Sequence, residues 1–307
     1  DKAKCLNKVI NSQIGIDINS SYKRASNILD HEMKNNEIEI NDETDPGIFK
    51  SEFEKNLYKK INDLNYIPAG LGDFNYNDKW VRDNTGENIS YKNQYYGEYT
   101  FHYWFWKNLL QKNDNKWIGF CAQRRFWSKY KDIKKIKSFK DLSESVLKKI
   151  PSEWNNYDAI IGDEVNIANI PWIKIIKYGK KALYHNPGSL FKNKRNIKFQ
   201  FDMFHGCGVL EKAINLLPNK DRYDFNNFVT SRNSFNQGNM FICNSKEIMN
   251  EYYNSIFSWL SNCEKVFGFN LNGYGQVRLY AFLAERYLPY WFSKYTNKLD
   301  WPILFYD

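Results

Sequence analysis

Two neighbouring arginines, Arg124 and Arg125, are the side chains of this sequence best suited to hold a phosphate-bearing ligand. They follow an apolar stretch, Lys116–Ala122, that predicts a buried strand, and two aromatic residues come directly after them. A guanidinium that packing holds in place can bind a diphosphate through paired, charge-assisted hydrogen bonds. The same surroundings suit an arginine that stacks on aromatic rings or pairs with an acid such as Asp163. The residues alone leave both interpretations open.

A second group of polar residues fills the loop that precedes an aromatic stretch, Tyr95–Leu110. Turn-forming residues of this kind hold a loop in shape by bonding their own backbone. The candidate donor-binding residues here are Asp83, Thr85, Gly86, Asn88, Ser90, Lys92 and Asn93, with Glu98 a few positions later. The aromatic residues recur at helical spacing and leave little polar face, which predicts a buried helix. Such a loop either presents rigid donors to a ligand or merely caps a core helix.

A third polar cluster is the turn Ser234–Asn239, which precedes the apolar run Asn239–Cys243. Its amides could bond sugar hydroxyls, and its glycine permits close approach of a ligand. The candidate sugar- or acceptor-binding residues are Asn236, Gln237, Gly238 and Asn239. Taken by itself, this pattern is also that of an ordinary turn.

Removal of a proton from an attacking hydroxyl group needs a carboxylate that accepts it. The candidate acids are Glu98, Asp163, Glu164, Asp202 and Glu285. Glu285 lies in an apolar helix and must have a partner, for which Arg286 or Arg278 could serve. A buried Glu–Arg pair that ties helices together is the more favoured interpretation of Glu285, with catalysis second.

Asp202 and His205 form an alternative catalytic pair. They follow Ile197–Phe201, whose alternating apolar residues predict a strand, and their spacing suits a joint role in acceptor binding or proton removal. The four histidines do not cluster as a zinc site requires. The glycine-rich phosphate loops of ATPases and dehydrogenases are missing as well, which argues against both classes.

Composition restricts the class of protein further. The chain has 307 residues, 18% of them aromatic, and can bury a large core. Its net charge of +9 indicates an anionic partner: nucleotide phosphates, acidic lipid headgroups or nucleic acid. Five widely separated cysteines are typical of reduced thiols in a cytosolic protein. No apolar run reaches the roughly 20 residues of a membrane-spanning helix. We therefore expect a cytoplasmic protein, at most peripheral at the inner face of the membrane.

The pattern of elements predicts an α/β fold. Short apolar runs at Tyr66–Gly72, Tyr157–Gly162 and Asn239–Cys243 predict strands, and each is bordered by a polar cluster or a glycine turn. In an open α/β sheet, such clusters lie along the carboxyl edge, where ligands bind. Helices are expected at Ser245–Lys265 and Gln276–Phe292.

The N-terminal part is harder to assign. A helix is expected at Phe49–Leu64, whereas Ile14–Ile18 is a weak candidate for an opening strand. We therefore treat residues 1–50 as an extension or a linker, compatible with a larger protein, and residues 51–307 as the main domain.

Four ordered blocks resemble a known family. They are Asp83–Asn108, Trp117–Trp127, Phe235–Cys243 and Tyr274–Arg286, and with the residues around them they span positions 66 to 292. The family consists of bacterial glycosyltransferases of capsule and surface-polysaccharide clusters, filed as domain of unknown function 4422. The resemblance implies a GT-A-like, open and mostly parallel sheet flanked by helices, with a helical C-terminal part.

The resemblance also implies an activity. A sugar would pass from a nucleotide donor, a UDP-sugar above all, to an oligo- or polysaccharide acceptor that could be lipid-linked. Many GT-A enzymes hold Mn²⁺ or Mg²⁺ on the diphosphate through an acidic motif, so a divalent metal is compatible with this family. No cofactor is certain, because Arg124 and Arg125 stand at that point and could supply the positive charge. Many relatives carry His-Tyr where Ala122 and Gln123 stand here.

Two alternatives from other classes stay open. One is a non-catalytic domain of a larger capsule enzyme that binds carbohydrate or nucleotide sugar. The other is a nucleic-acid-binding module, which would expose aromatic residues beside a basic face. Because most aromatic residues lie on helical stripes typical of a core, we expect no nucleic-acid partner.

Overall fold

The computed structural model describes residues 61–306, except 62, 74–75, 77–79, 114–116, 123 and 134. The expectations for residues 1–50 and for the opening strand lie outside the described residues. So does almost all of the helix expected at Phe49–Leu64.

The described elements alternate short strands with longer helices. The strands are β1 (Ala69–Gly70), β2 (Val81–Arg82), β3 (Ile118–Gly119), β4 (Arg125–Trp127), β5 (Ala159–Gly162), β6 (Glu164–Asn166), β7 (Ser234–Asn236), β8 (Phe241–Cys243), β9 (Lys298–Trp301) and β10 (Ile303–Phe305). The helices are α1 (Asn93–Tyr96), α2 (Tyr99–Asn108), α3 (Phe139–Ser145), α4 (Trp172–Tyr178), α5 (Lys180–His185), α6 (Ile197–His205), α7 (Val209–Ile214), α8 (Asn219–Ser231), α9 (Lys246–Phe267), α10 (Tyr274–Val277) and α11 (Leu279–Tyr295).

The central sheet has the strand order β3-β8-β5-β9. Strand β8 runs antiparallel to both β3 and β5, whereas β9 runs parallel to β5. The α/β class is confirmed, but the pairing within this sheet is mixed rather than mostly parallel. Smaller two-stranded pairings join β1 to β2, β4 to β10 and β6 to β7.

The main core lies between the sheet and the helices α2, α8, α9 and α11. The aromatic stretch predicted as one helix is divided into α1 and α2 at Gly97, which has φ 54. This positive φ favours glycine, and a β-carbon there would lie 2.7 Å from Arg278 Nη2, so the arginine side chain would have to move. Likewise, the helix expected at Gln276–Phe292 is divided into α10 and α11 at Arg278.

Helix α6 corrects one expectation from the sequence. Ile197–Phe201 is helical, not a strand, and the side chain of Asn196 caps it by accepting a hydrogen bond from Phe199 N–H at 2.8 Å. Ile197 and Phe201 pack into the main core, while Phe199 and Met203 pack into a separate cluster. Because two faces of this helix are buried, its apolar residues imitate the alternation of a strand.

The longest helix, α9, begins where the sequence predicted. The Ser245 hydroxyl accepts hydrogen bonds from the backbone N–H groups of Glu247 and Ile248, at 3.1 and 3.2 Å. Along the helix, its buried residues include Tyr252, Ile256 and Leu260, whose spacing is that of one helical face.

Loss of this cap should destabilise the protein measurably. Ser245→Ala removes the acceptor for two otherwise unpaired N–H groups, and we expect the free energy of unfolding to fall by about 1 kcal/mol. Urea titration followed by circular dichroism measures this change. Ser261→Ala, an exposed position of the same helix, is the control and should not destabilise the protein. Equal stability of the two variants would contradict the capping role.

Candidate functional site

Two of the polar clusters predicted from the sequence, the turn before β8 and the residues after β5, lie at one edge of the central sheet. Strands β5 and β9 run parallel, and their last residues, Gly162 and Trp301, are paired. Because β8 runs the opposite way, its first residue, Phe241, lies beside Ile161 near the end of β5. The turn that precedes β8 therefore lies at the same edge as the polar residues that follow β5.

Arg125 contacts the turn that carries the predicted sugar-binding amides. Gly238 has φ 95, and a β-carbon there would lie 2.9 Å from Arg125 Nη1. The guanidinium is also 5.4 Å from the centroid of the Phe305 ring. Arg125 thus stacks on an aromatic residue, as one interpretation of the sequence expects, and its guanidinium lies beside the Gly238 turn.

Glu285 joins this turn to helix α11. Its Oε1 accepts a hydrogen bond from Gly238 N–H at 2.8 Å, and its Oε2 accepts one from Arg286. The buried Glu–Arg pair favoured from the sequence is therefore present, and its partner is Arg286. Because one oxygen orders the turn, the carboxylate also shapes the surface that Arg125 contacts.

Arg286 is held by several different groups. Its side chain is 2% exposed, and its Nη2 donates to Gln200 Oε1 on α6 at 2.7 Å. The guanidinium carbon lies 4.7 Å from the centroid of the Phe235 ring and 5.5 Å from that of Phe201. Burial lowers the pKa of Arg286, an effect that Glu285 opposes. This pair fixes α6, α11 and the turn relative to one another.

Asn239 and Glu98 lie on the other side of the turn. Asn239 donates to the carbonyl of Ala281 at 3.4 Å, and Ala281 also lies next to Gly97. Burial raises the pKa of Tyr99, and the nearby carboxylates of Glu98 and Glu285 raise it further. Glu98 and Glu285 are thus both close enough to Tyr99 to act on its pKa.

Asp163 follows β5 directly and lies at the sheet edge. Partial burial raises the pKa of its carboxyl, and the negative charge of Asp300 on β9 adds to that effect, while Lys131 opposes it. The Asn236 amide donates to the carbonyl of Gly162 and, at 2.8 Å, to Asp300 Oδ1. The Asn236 amide is thus already bonded at the sheet edge. Gln237 and the Oδ1 of Asn239, which has no hydrogen-bond partner among the described residues, are the groups of this turn suited to a ligand.

Arg124 has a left-handed backbone, with φ 64. It is the third residue of a tight turn in which Arg125 N–H donates to the Ala122 carbonyl at 3.1 Å. This region of φ is uncommon for residues other than glycine, and such positions cluster at functional sites. The turn presents two successive cationic side chains after β3.

The loop Asp83–Asn93 uses most of its polar groups internally. Asn88 Oδ1 accepts from the Ser90 N–H and hydroxyl, and its amide donates to the Gly86 carbonyl. Trp104 donates to the Thr85 hydroxyl at 3.0 Å. These bonds hold the loop in shape, which agrees with both interpretations of the sequence.

The remaining residues of that loop bond to other parts of the main domain. Lys92 forms an ion pair with Glu264 on α9 at 2.7 Å, and Asn93 donates to the Gly97 carbonyl at 3.0 Å. Asp83 is fully buried and accepts from Gly72 N–H at 2.8 Å, and burial raises its pKa. These contacts lead to Glu264, Gly97 and Gly72, not to Arg125. Gly97, which follows the loop, lies next to Arg278 and Ala281.

Asp202 and His205 have partners away from the sheet edge. The Asp202 carboxylate accepts from Gly208 N–H at 3.0 Å and pairs with Lys198 at 3.1 Å. The His205 ring stacks on Phe282, and its Nδ1 lies 2.9 Å from the Gly275 carbonyl oxygen. Burial lowers the pKa of His205 to about 3, and the charge of Arg286 acts in the same direction. Such a ring is a weak proton acceptor.

Sequence reasoning missed three residues that shape this region: Gly97, Gln200 and Asp300. Gln200 and Asp300 are far from the other site residues along the chain and belong to no recognisable pattern. The glycine between Tyr96 and Glu98 was a usable signal, because a glycine inside a helical pattern often marks a close backbone contact.

The comparisons with known proteins agree with this architecture. The model of the family "Domain of unknown function (DUF4422)" matches residues 54–298, which is most of the chain. The chain belongs to this family. A comparison with curated proteins returns no match.

A solved structure of the bifunctional glycosyltransferase WbbM, in its apo form, has a similar fold. The TM-score is 0.56 at 20% sequence identity, and the match covers 74% of this chain and 39% of WbbM. This member of the DUF4422 family thus spans about two fifths of that protein's length. The α/β fold of GT-A type that the resemblance implied is confirmed.

Two kinds of feature are not found among the described residues: a membrane-spanning helix and a group of metal-binding side chains. No helix there has the length and apolar character needed to cross a membrane. Nor do three or more His, Cys, Asp or Glu side chains come together there in an arrangement suited to a metal ion.

The two buried histidines predict how stability depends on pH. Burial lowers the pKa of both His102 and His205 to about 3, whereas the unfolded chain has ordinary values near 6.5. Between about pH 3 and 6.5 the unfolded state therefore binds more protons, and the stability should fall as the pH falls through this range. Above pH 6.5 neither histidine should contribute to a pH dependence.

His205→Gln tests whether His205 contributes to this pH dependence, separately from the carboxyl groups of the chain. The variant should take up about one proton fewer on unfolding at pH 5, so its urea midpoint should depend less on pH than that of the original chain. Replacement of the exposed His185 by Gln is the control. Identical pH dependence of the original chain and His205→Gln would show that His205 titrates normally in the folded state.

Proposed function

We propose that this chain is a glycosyltransferase that moves a sugar from a nucleotide donor, a UDP-sugar, to an oligo- or polysaccharide acceptor of a capsule or cell surface. The observation that carries the proposal is the contact between Arg125 and the Gly238 turn, with Glu285 holding that turn from behind. The likeness in fold to a glycosyltransferase supports it. So does the net charge of +9, which suits an anionic donor.

The diphosphate of the donor would be bound by Arg125, with Arg124 as the second cation. Paired hydrogen bonds from a guanidinium fit phosphate oxygens and stabilise the charge that develops on the departing nucleotide. Gly238 leaves room for the Arg125 guanidinium next to the backbone. Gln237 and the Oδ1 of Asn239 would bond the sugar. In this proposal Asp83–Asn93 forms one wall of the nucleotide pocket, and Glu98 lies where that wall comes nearest to the Gly238 turn.

Asp163 is the carboxylate of this edge that best fits the role of base. It is exposed to solvent, and its raised pKa improves its ability to accept a proton from an acceptor hydroxyl. Glu285 is engaged by Arg286 and by Gly238 N–H, which suits a positioning role. Asp202 and His205 stay as residues that support α6 and its neighbouring turn.

A divalent cation could be accommodated at the same edge. Mg²⁺ is usually held by one or two carboxylates, with water and substrate phosphates as its other ligands. Asp300 would be such a carboxylate. In this structure it pairs with Lys298 at 2.5 Å and accepts from Asn236 at 2.8 Å, so the cation would have to displace Lys298. Bound Mg²⁺ or Mn²⁺ would neutralise charge on the diphosphate.

Replacement of Arg125 tests the donor site. Arg125→Ala removes charge-assisted hydrogen bonds worth about 1.5–3 kcal/mol, so the Kd for UDP should rise roughly 10- to 150-fold. Isothermal titration of the purified protein with UDP measures this directly. The control is Arg222→Ala, which removes an exposed arginine on α8 and should leave the Kd unchanged.

Three results would contradict the proposal or redirect it. Saturable UDP binding that is equal in the original chain and Arg125→Ala would place the donor elsewhere. Binding of UDP-sugars without transfer or donor hydrolysis would favour a non-catalytic nucleotide-sugar-binding domain. A mobility shift of nucleic acid at physiological salt, together with no UDP binding, would favour the nucleic-acid-binding alternative.

A further inference from the structure

The segment between β6 and α6 has an unusual charge pattern. From Val165 to Phe201 it contains no aspartate or glutamate. The same stretch contains seven lysines and one arginine: Lys174, Lys177, Lys180, Lys181, Lys192, Lys194, Lys198 and Arg195. Most of the chain mixes acidic and basic residues, so this segment concentrates positive charge in one place.

A buried arginine gives the segment a fixed shape. Arg195 is 1% exposed and donates to the carbonyls of Ser189, Ala168 and Ile170 at 3.0–3.1 Å. The ring of Trp172 lies over its guanidinium, with 4.6 Å between the guanidinium carbon and the ring centroid. Backbone carbonyls satisfy this cation, so the segment needs no acidic residue to fold.

Helices α4 and α5 have apolar residues on two opposite sides. Ile175 and Ala182 face inward and pack with Phe199 and Met203 of α6. Other apolar side chains of the segment are exposed: Trp172, Ile173, Ile176, Tyr178, Tyr184, Leu190 and Phe191. Ile173 is 76% exposed and Tyr184 is 84% exposed. These side chains, with the lysines at 174, 177, 180, 181, 192 and 194, are called the basic apolar face below.

The lysines of the basic apolar face are available to a partner. All six are exposed, and no ion pair joins any of them to an acidic side chain within the described ranges. Apolar side chains next to exposed cations bring together two kinds of affinity, burial in an acyl layer and attraction to anionic headgroups.

We propose that the basic apolar face binds the surface of a lipid bilayer that contains anionic lipids. Isolated isoleucine and aromatic side chains can enter the boundary between headgroups and acyl chains while lysines contact the headgroups. A second copy of this face is a poor partner, because six lysines would meet six lysines. Nucleic acid would use the cations and leave the isoleucines without a role.

The position of this face relative to the candidate site follows from two elements. Strand β6 begins directly after Asp163 and leads into the segment, and α6 packs beneath it. Gln200 of α6 also bonds Arg286, so the face and the turn at Gly238 share one packed framework. If the proposed transfer holds, a lipid-linked acceptor would reach the site from this side. The membrane binding itself does not depend on the proposed function.

Sedimentation with vesicles tests the inference. The protein should sediment with vesicles of phosphatidylcholine and phosphatidylglycerol, much less with phosphatidylcholine alone, and less as the salt concentration rises. Reversal of two lysines, Lys174→Glu with Lys177→Glu, should lower the partition coefficient by more than tenfold. Ile173→Ser with Ile176→Ser should lower it by a similar factor, with little change in salt dependence.

Matched controls distinguish binding by the basic apolar face from an effect of the overall positive charge and from misfolding of the variants. Lys148→Glu with Lys149→Glu changes an exposed pair elsewhere, and Val266→Ser changes an exposed apolar residue of α9. Both controls should bind vesicles like the original chain, and all variants should keep its circular dichroism spectrum and its response to UDP. If the original chain does not sediment with anionic vesicles, the inference is overturned. Equal losses in the controls would also overturn it, as would an isoleucine-dependent dimer in sedimentation velocity without vesicle binding.

Discussion

The buried guanidinium of Arg286 is the constraint around which the candidate site is built. A cation removed from water is costly unless charges and hydrogen bonds replace its hydration. Here Glu285, Gln200 and two aromatic rings replace it, and they come from α6, α11 and the strand before the Gly238 turn. To satisfy one charge, the chain must bring three distant segments together. Glu285 also fixes the Gly238 turn, because its Oε1 accepts a hydrogen bond from Gly238 N–H.

The direction of β8 explains why the polar clusters converge. In a wholly parallel sheet, a turn before a strand would lie at the opposite edge from residues that follow the strands. Since β8 is antiparallel to β5, its preceding turn lies beside Asp163 and close to the end of β9. Arg125 completes the arrangement from β4, which pairs with the C-terminal strand β10. The mixed sheet is thus a condition for the site.

The sequence predicts elements whose signals are local. Ser245 marks the start of α9, and apolar runs mark β5 and β8, because caps and buried runs act over a few residues. The prediction of a strand at Ile197–Phe201 is wrong because two apolar clusters bury α6 on two sides. The local pattern of apolar residues does not reveal burial on two sides. Arg125, Gly238 and Glu285 were each identified singly. Their contact depends on pairings between strands and helices far apart in the chain, which no spacing reveals. At Asn88 the sequence shows the donors but not their partners, which lie within the loop itself.

The most direct test of the account is an experimental structure of the protein with UDP bound. The account predicts a diphosphate with oxygens about 2.7–2.9 Å from guanidinium nitrogens of Arg125, next to the Gly238 turn. Electron density for UDP at another surface, with the edge formed by Arg125, Gly238 and Asp163 empty, would contradict it.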